Sequence, residues 1–370
     1  MKKIGIKFKS EIKKNVWADN FIRIFLPFIK GEYKGRNFAD KIVLFRKRIT
    51  QFKLNLPHAI AFETISHCIL NCEFCILQSM KWYNYRRKNM MGFEEFKKII
   101  NDIHWFTTNI EFSGGEPLLN QDIFKMLNYA RQKNIYTLLA TNGILLGYKN
   151  NIEKIIANPP DKILISYDSA IKEDYENLRR KANSEKGDFE ILNKNIKELV
   201  ELKNKNKQKY PIVILQMVLT KKNISNINLF WEKVKDLGAD FGSIKPLGVW
   251  PEGSPEYDKK MLEEYIVPFS QHPISRHEIN NKGEIVFFRE PGQCAAVHHA
   301  YIGSGGEVIP CWYILVKTEV MGNAIDNNFF DIWNSEKYKK YREKMLSDWA
   351  NPLCHRCIGI GGSADLRKTR

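Results

Sequence analysis

The 370-residue chain lacks any run of about eighteen apolar residues, so its sequence predicts no membrane-spanning helix. Its first residues, MKKIGIKFKS, have neither the apolar core nor the small-residue cleavage site of a secretory signal. Acidic residues are scarce over residues 1–60, where fifteen Lys/Arg against four Asp/Glu give +11 of the net charge of +16. We therefore expect a cytoplasmic protein whose basic N-terminal segment attracts anionic partners, although the Lys-rich composition of the whole chain explains this charge equally well.

Cysteine is missing from the long middle of the chain. The seven cysteines form a group of three and a group of four, which are Cys68, Cys72 and Cys75, then Cys294, Cys311, Cys354 and Cys357. An odd total argues against a simple disulfide framework. In a reducing compartment such grouping is typical of metal or cluster ligands. Both groups are therefore candidate metal sites, and together they use every cysteine.

From Leu56 the apolar pattern alternates between strands and helices. The predicted strands are Ala59–Ile65, Ile110–Ser113, Ile135–Thr141, Lys162–Asp168, Ile212–Leu219 and Phe241–Pro246. Six parallel strands with helices between them form either a doubly wound sheet or a partial barrel. Ligands bind at the carboxyl ends of the strands in both folds. The first cysteine group directly follows the first strand, so we expect it at that edge.

The segments on either side of this α/β region have different patterns. Before it, FADKIVLFRKRITQF predicts a helix with Phe38, Ile42, Phe45, Ile49 and Phe52 on one face and Arg46, Lys47 and Arg48 opposite. We expect this apolar face to pack on the following domain, with a membrane interface as the alternative. After Pro246, short strands and a helix over about Phe329–Met345 predict a second, smaller unit. The predicted domains are 1–56, 57–247 and 248–370.

Three cysteines in SHCILNCEFC require an explanation because a four-iron cube usually has four ligands. Three thiolates leave one iron free to bind a small molecule, whereas a zinc site with this set would lack one ligand. The Cys-x3-Cys-x2-Cys spacing resembles the signature of the radical S-adenosylmethionine (AdoMet) enzymes. EFSGGEPLL, at the end of the second strand, also resembles the turn with which that family receives the amino group of AdoMet.

The resemblance implies a partial (β/α)6 TIM-type barrel and a [4Fe–4S] cluster on Cys68, Cys72 and Cys75, with AdoMet at the unique iron. It also implies further cofactor contacts. Gly114, Gly115, Glu116 and Pro117 would hold the methionine amine, and Phe74 would shield the adenine. Thr141 and Asn142 would line the nucleoside, Ser166 and Asp168 would face the ribose, and Arg179, rather than Arg180, would reach the carboxylate. No residue is assigned as the catalytic base.

The second cysteine group has eleven residues between Cys294 and Gly306 and four between Gly306 and Cys311, followed by NPLCHRC. Its bare spacing suits zinc about as well as an iron–sulfur cube. The arrangement nevertheless resembles the SPASM/Twitch extension of radical AdoMet enzymes. Full SPASM extensions carry about seven cysteines, so four cysteines here imply the shorter form, a small α+β unit with one auxiliary [4Fe–4S] cluster.

By this resemblance, the enzyme reductively cleaves AdoMet to a 5′-deoxyadenosyl radical that abstracts a hydrogen atom from its substrate. The main prediction is an oxidoreductase acting on a small polar or carbohydrate-type molecule, with the auxiliary cluster as electron acceptor. The alternative is a maturase of a ribosomal peptide, and a remote third is a non-catalytic zinc- or nucleic-acid-binding protein. Expected partners are a small-molecule or carbohydrate substrate and an electron donor such as flavodoxin or ferredoxin. Contact of residues 1–56 with the membrane surface is the alternative to their packing on the following domain. Nucleic acid is not expected.

Overall fold

The computed structural model describes most of the chain from residue 36 onwards. The described residues are 36–72, 74, 75, 89–181, 183, 186–248, 255–275, 277–287, 294–311, 320–348, 354 and 365–368, with Phe25, Phe28 and Ile29. No helix among them is long and apolar enough to cross a membrane. Most of residues 1–35 lie outside this set, so the predicted helical N-terminal segment is tested only over its second half.

Six parallel strands form the centre of the fold, as the sequence predicts. They are β1 (Ala59–Ile65), β2 (Asn109–Gly114), β3 (Tyr136–Thr141), β4 (Lys162–Ser166), β5 (Ile212–Leu219) and β6 (Phe241–Pro246). The helices before and between them are α1 (Phe38–Lys53), α2 (Phe93–Ile103), α3 (Ile123–Gln132), α4 (Asn151–Ala157), α5 (Lys172–Leu178), α6 (Phe189–Lys205) and α7 (Ile227–Asp236). The spatial order of these strands follows their order along the chain.

This strand order distinguishes a barrel from a doubly wound sheet. Right-handed crossovers that always step in one direction place every helix on the same face of the sheet. On that face Ile110, Phe112 and Ile163 are buried with the helices in one apolar core. The residues that alternate with them, such as Glu111, face the opposite side, which becomes the lumen of a partial barrel.

The C-terminal part of the chain extends the same sheet at both ends. Its elements are α8 (Pro255–Glu264), β7 (His277–Ile279), β8 (Ile285–Phe287), β9 (His299–Ile302), β10 (Glu307–Ile309), β11 (Gly322–Asn323), α9 (Phe329–Asn334), α10 (Glu336–Ser347) and β12 (Asp365–Lys368). Strand β9 runs parallel to β1, β10 and β11 follow it, and β12 pairs antiparallel with β6. Strands β11 and β12 are therefore the two ends of a ten-stranded sheet.

Helix α1 turns its polar side towards the barrel, so the predicted inward apolar face is wrong. Its buried residues are Leu44, Lys47, Arg48 and Gln51. By contrast, Phe38 is 78% exposed and Ile42 is 45% exposed. Periodicity locates an amphipathic helix correctly, but it does not show which side meets a partner that offers hydrogen-bond acceptors.

The acceptors are backbone carbonyls at the edge where the strands begin. The Lys47 Nζ donates to the carbonyls of Thr107, Lys133 and Asn134 at 3.2, 2.8 and 3.1 Å. These carbonyls lie just before β2 and just after α3, where secondary structure leaves backbone groups without partners. A buried ammonium with three donors satisfies them, which an apolar face cannot do.

The helix predicted over Phe329–Met345 is two helices. Ser335 has extended backbone angles (φ −61°, ψ 149°) and ends α9. Its Oγ accepts a hydrogen bond from the Tyr338 amide and so caps the start of α10. The two helices share a hydrophobic repeat, and a serine cap within it is a weak signal in the sequence.

Candidate active site

The first cysteine group lies in a loop after β1, at the carboxyl edge of the barrel. The loop is held by backbone bonds from Ser66 to Asn89 (2.8 Å) and from Asn71 to Arg180 (2.7 Å). The Cys72 side chain is buried, while Cys68 and Cys75 are partly buried. The structure therefore brings the three predicted ligands into one short, anchored loop.

Polar side chains from other elements reach two of these thiols. The Asn142 Nδ2 lies 3.7 Å from the Cys68 Sγ, and the Arg179 Nη1 lies 3.7 Å from the Cys72 Sγ. Burial raises the pKa of Cys68 to about 11 and of Cys72 to about 12; neighbouring thiols add to the rise and Arg179 opposes it. Because a cluster binds thiolates, these donors favour the state that it requires.

The two glycines of the GGEP turn permit close contact with the cysteine loop. A Cβ on Gly114 would lie 2.5 Å from the Ile65 carbonyl oxygen, and one on Gly115 would lie 2.0 Å from that of His67. Gly114 also has φ +117°, a conformation that suits glycine. The amides of Gly115 and Glu116 donate to these same carbonyls at 2.7 and 2.9 Å. The backbone at the end of β2 is thus hydrogen-bonded directly to the backbone at the start of the cysteine loop, and the two segments form one layer.

Glu116 joins this layer to the end of β3. Its fully buried carboxylate accepts hydrogen bonds from the Thr141 hydroxyl at 2.7 Å and from the amides of Leu118 at 3.1 Å and Asn142 at 2.8 Å. Burial raises the pKa of Glu116, and these three bonds oppose the rise. A carboxylate has about four acceptor positions, so one remains for an ammonium. The Glu116–ammonium contact itself stays a prediction.

Arg179 and Asp168 form a buried ion pair beside the cysteine loop. The other Asp168 oxygen accepts from the Val218 amide at 2.8 Å, and its backbone carbonyl accepts from the Asn223 Nδ2 at 2.7 Å. Arg180, by contrast, is exposed, which supports the choice of Arg179. Both carboxylate oxygens of Asp168 are bonded within the protein, one to Arg179 and the other to the Val218 amide, so Asp168 positions Arg179. Its ribose contact stays a prediction.

Phe74 and Ser166 border the same edge. Phe74 is buried, packs edge-on against Tyr265 with ring centroids 6.2 Å apart, and lies 5.5 Å from the Arg179 guanidinium carbon. Ser166 ends β4 and pairs with Gln216 of β5. The structure therefore gathers every predicted AdoMet contact at one end of the barrel.

The second cysteine group lies at the other end of β1. Cys294 precedes β9 and Cys311 follows β10, and these strands form an antiparallel hairpin whose open end lies beside the start of β1. Cys354 is buried in the same apolar core as Cys311, and Cys357 lies outside the described residues. Strand β1 has seven residues, so it spans about 20 Å between the two edges of the barrel at which the cysteine groups lie.

Three charged residues that sequence reasoning missed line the lumen between these sites. Glu63 of β1 is buried, and its Oε2 accepts a hydrogen bond from the Tyr301 hydroxyl of β9 at 2.8 Å. Glu111 and Lys245 occupy the inward face of β2 and β6. A charged residue inside an otherwise apolar parallel strand is the signal that would have identified each one.

Comparisons with known proteins agree with this geometry. Residues 62–228 match the model of the Radical SAM superfamily, and residues 294–358 match the SPASM model, described as an iron–sulfur cluster-binding domain. An AdoMet-dependent heme synthase from Methanosarcina barkeri is 26% identical over 78% of this chain and 86% of its own. The mycofactocin maturase MftC from Mycobacterium tuberculosis is 23% identical over 80% of this chain and 75% of its own.

A solved structure shows the same fold. SuiB from Streptococcus suis, bound to its precursor peptide SuiA, superposes with a TM-score of 0.56 at 17% identity, covering 92% of this chain and 82% of SuiB. Together, the two domains imply a [4Fe–4S] cluster, AdoMet and an auxiliary iron–sulfur cluster. The chain carries a Radical SAM domain over residues 62–228 and a SPASM iron–sulfur domain over residues 294–358.

Proposed function

We propose that this enzyme uses AdoMet to modify a peptide, most directly by oxidation or cross-linking of a residue inserted into the barrel. The observation that carries the proposal is the open lumen between two cysteine sites. Within the described part of the chain, the sheet ends at β11 and β12, which do not pair with each other. An extended chain can enter through such a lateral gap, and the similar protein SuiB has been solved with its precursor peptide SuiA bound.

The residues at the carboxyl edge fit the cluster and AdoMet. Cys68, Cys72 and Cys75 supply three thiolates, and Asn142 and Arg179 place donors beside two of the sulfurs. When bound, the cluster and AdoMet supply the one-electron chemistry that removes a hydrogen atom from the substrate. The protein contributes binding, orientation and the exclusion of water.

The protein's own part at this edge is to hold charges in fixed positions. Asp168 fixes the Arg179 guanidinium, which is then available to an anionic group of AdoMet. Glu116, held by Thr141 and the amide of Asn142, presents its remaining acceptor position to a cation. Both carboxylates are fully buried, so these interactions act where water weakens them least.

The auxiliary site at the opposite edge supports an oxidative reaction. Removing a hydrogen atom and then a proton from a substrate leaves one electron to be accepted. An auxiliary cluster on Cys294, Cys311, Cys354 and Cys357 would lie near the start of β1 and accept it. The small carbohydrate-type substrate expected from the sequence has less support, because the similar proteins include a maturase, MftC, and SuiB bound to a precursor peptide.

The test is to reconstitute the enzyme without oxygen and supply AdoMet, reduced flavodoxin and each short peptide encoded near its gene. We expect one peptide to stimulate 5′-deoxyadenosine formation and to lose the mass of two hydrogen atoms. Cys72→Ala is the control and should give neither product. Stimulation by sugars or aminocyclitols, with every peptide unchanged, would contradict the proposal.

A further inference from the structure

Two opposite charges face the barrel lumen without forming an ion pair. Glu111 lies between Ile110 and Phe112, whose side chains are buried among the helices, so Glu111 points to the other face of β2. Lys245 follows Ile244, which is likewise buried on the helix side of β6. Both charges therefore lie on the lumen wall.

Neither side chain is satisfied by the protein around it. Among the described residues, neither the Lys245 ammonium nor the Glu111 carboxylate has an ion-pair partner within 4.0 Å or a hydrogen bond. By contrast, the carboxylate of Asp168 pairs with Arg179, and that of Glu63 accepts from the Tyr301 hydroxyl. The Glu111 side chain is exposed to the lumen and the Lys245 side chain is partly exposed, so both charged groups are open to a ligand there. The two side chains could have neutralised each other in an ion pair, but in the structure they stay apart.

Strands β2 and β6 lie four positions apart in the curved sheet, so their inward-facing charges face each other across the lumen. Burial lowers the pKa of Lys245, while the carboxylates of Asp168 and then Glu111 raise it. Desolvation by the surrounding lumen wall raises the pKa of Glu111, and Lys245 lowers it. Lys245 is in register with Val218, whose amide donates to Asp168, so Lys245 lies near the Asp168–Arg179 pair at the AdoMet edge.

We propose that Glu111 and Lys245 form a substrate subsite that takes an acidic peptide residue. Lys245 binds the side-chain carboxylate of that residue, and Glu111 accepts a hydrogen bond from an N–H group of the same peptide segment. This assignment rests on the proposed peptide substrate. A ligand of this kind supplies the partner that each charge lacks, and it lies beside the AdoMet edge with the auxiliary site at the far end.

The test measures binding without turnover. Holoenzyme with AdoMet, but without reductant, is incubated with a synthetic library of short random peptides, and the retained peptides are sequenced by mass spectrometry. We expect wild type to enrich Asp and Glu. Lys245→Met should lower that enrichment about tenfold, as for loss of a charged hydrogen bond, whereas Lys245→Arg retains it and Lys245→Glu replaces it with enrichment of Lys and Arg.

Lys162→Met is the matched control. Lys162 begins β4 on the same inward face but at the opposite end of the strands, where it lies over the Tyr136 ring. This variant should keep the enrichment of acidic peptides. Iron content and the thermal melting temperature of each variant show that the barrel is folded.

The outcomes separate the subsite from the proposed function. Enrichment of peptides without any preference for Asp or Glu would overturn the subsite and leave the peptide substrate standing. No enrichment of any peptide would overturn both the acidic subsite and its peptide ligand. An acidic preference that survives in Lys245→Met and Lys245→Glu would overturn the assignment to Lys245.

Discussion

The two cysteine sites lie at opposite edges of one barrel, and their surroundings differ in kind. At the first site, polar groups approach the sulfurs: Arg179 lies near Cys72 and Asn142 near Cys68. At the second, Cys311 and Cys354 are buried in an aromatic and aliphatic core. Cys311 lies close enough to the Tyr338 hydroxyl to help burial raise the Tyr338 pKa.

This difference follows from what each site has to bind. Three thiolates leave a position for a charged ligand, so the first site needs fixed cations and acceptors around it. Four thiolates close a coordination sphere, so the second site needs only ligands and packing. Aromatic packing there is dense: the Arg342 guanidinium carbon lies 4.1 Å from the Trp333 ring centroid and 4.8 Å from that of Tyr338. The surroundings of a cysteine group therefore indicate whether its site is open or saturated.

The largest expected effect separates the two sites by function. Cys72→Ala and Cys311→Ala should each lose about four iron atoms per chain, because each removes a ligand of one cube. Only Cys72→Ala should also reduce reductant-dependent 5′-deoxyadenosine formation to background. Iron analysis and chromatography of the products measure both effects. Full AdoMet cleavage by Cys72→Ala would show that the first cysteine group is not the AdoMet site.

The second effect concerns the buried charges of the open site. Asp168→Asn leaves the Arg179 cation buried without its carboxylate, so we expect a loss of about 3 kcal/mol in the free energy of unfolding. AdoMet affinity should fall as well, because Arg179 is no longer held in place. Urea unfolding and equilibrium dialysis are the measurements.

Glu336→Gln provides the comparison for Asp168→Asn in the C-terminal part of the chain. Glu336 pairs with Lys339 at 3.1 Å, and both side chains are exposed. Its loss should cost less than about 1 kcal/mol and leave AdoMet affinity unchanged. Equal costs for the two variants would show that burial of the Asp168–Arg179 pair has no energetic consequence.

The third effect concerns the edge of the barrel where the strands begin. Lys47→Met removes three donors from the carbonyls of Thr107, Lys133 and Asn134, and we expect a cost of about 2 kcal/mol in unfolding free energy. Lys53→Met, at the exposed end of the same helix, should stay within about 0.5 kcal/mol of wild type. A stabilised Lys47→Met would contradict the polar docking of α1.

The smallest effect concerns a helix cap near the second site. Ser335→Ala removes the oxygen that accepts from the Tyr338 amide, which should cost about 1 kcal/mol. Ser347 lies at the far end of α10, where its hydroxyl donates to the Glu343 carbonyl, and Ser347→Ala should cost less. Thermal unfolding compares the two variants, and an equal loss of stability would show that Ser335 is not an effective cap.

Local patterns predicted the six parallel strands and placed the candidate site residues after strand ends. Strand β1 was predicted at its observed bounds because Ala59–Ile65 is a continuous apolar run with one charge. That charge, Glu63, was passed over, as were Glu111 and Lys245, since a strand pattern does not show which partners lie across a lumen. The pairing of β9 with β1 and the polar docking of α1 escaped prediction for the same reason, because both depend on contacts distant along the chain.

The central claim is that the chain holds an open three-thiolate cluster and a saturated four-thiolate cluster. The most direct measurement is the iron, sulfide and zinc content of protein purified without oxygen and then reconstituted. Two cubes predict about eight iron and eight sulfide per chain and no zinc. About four iron with one zinc would contradict the claim, because the second site would then lack the electron acceptor that the oxidative reaction requires.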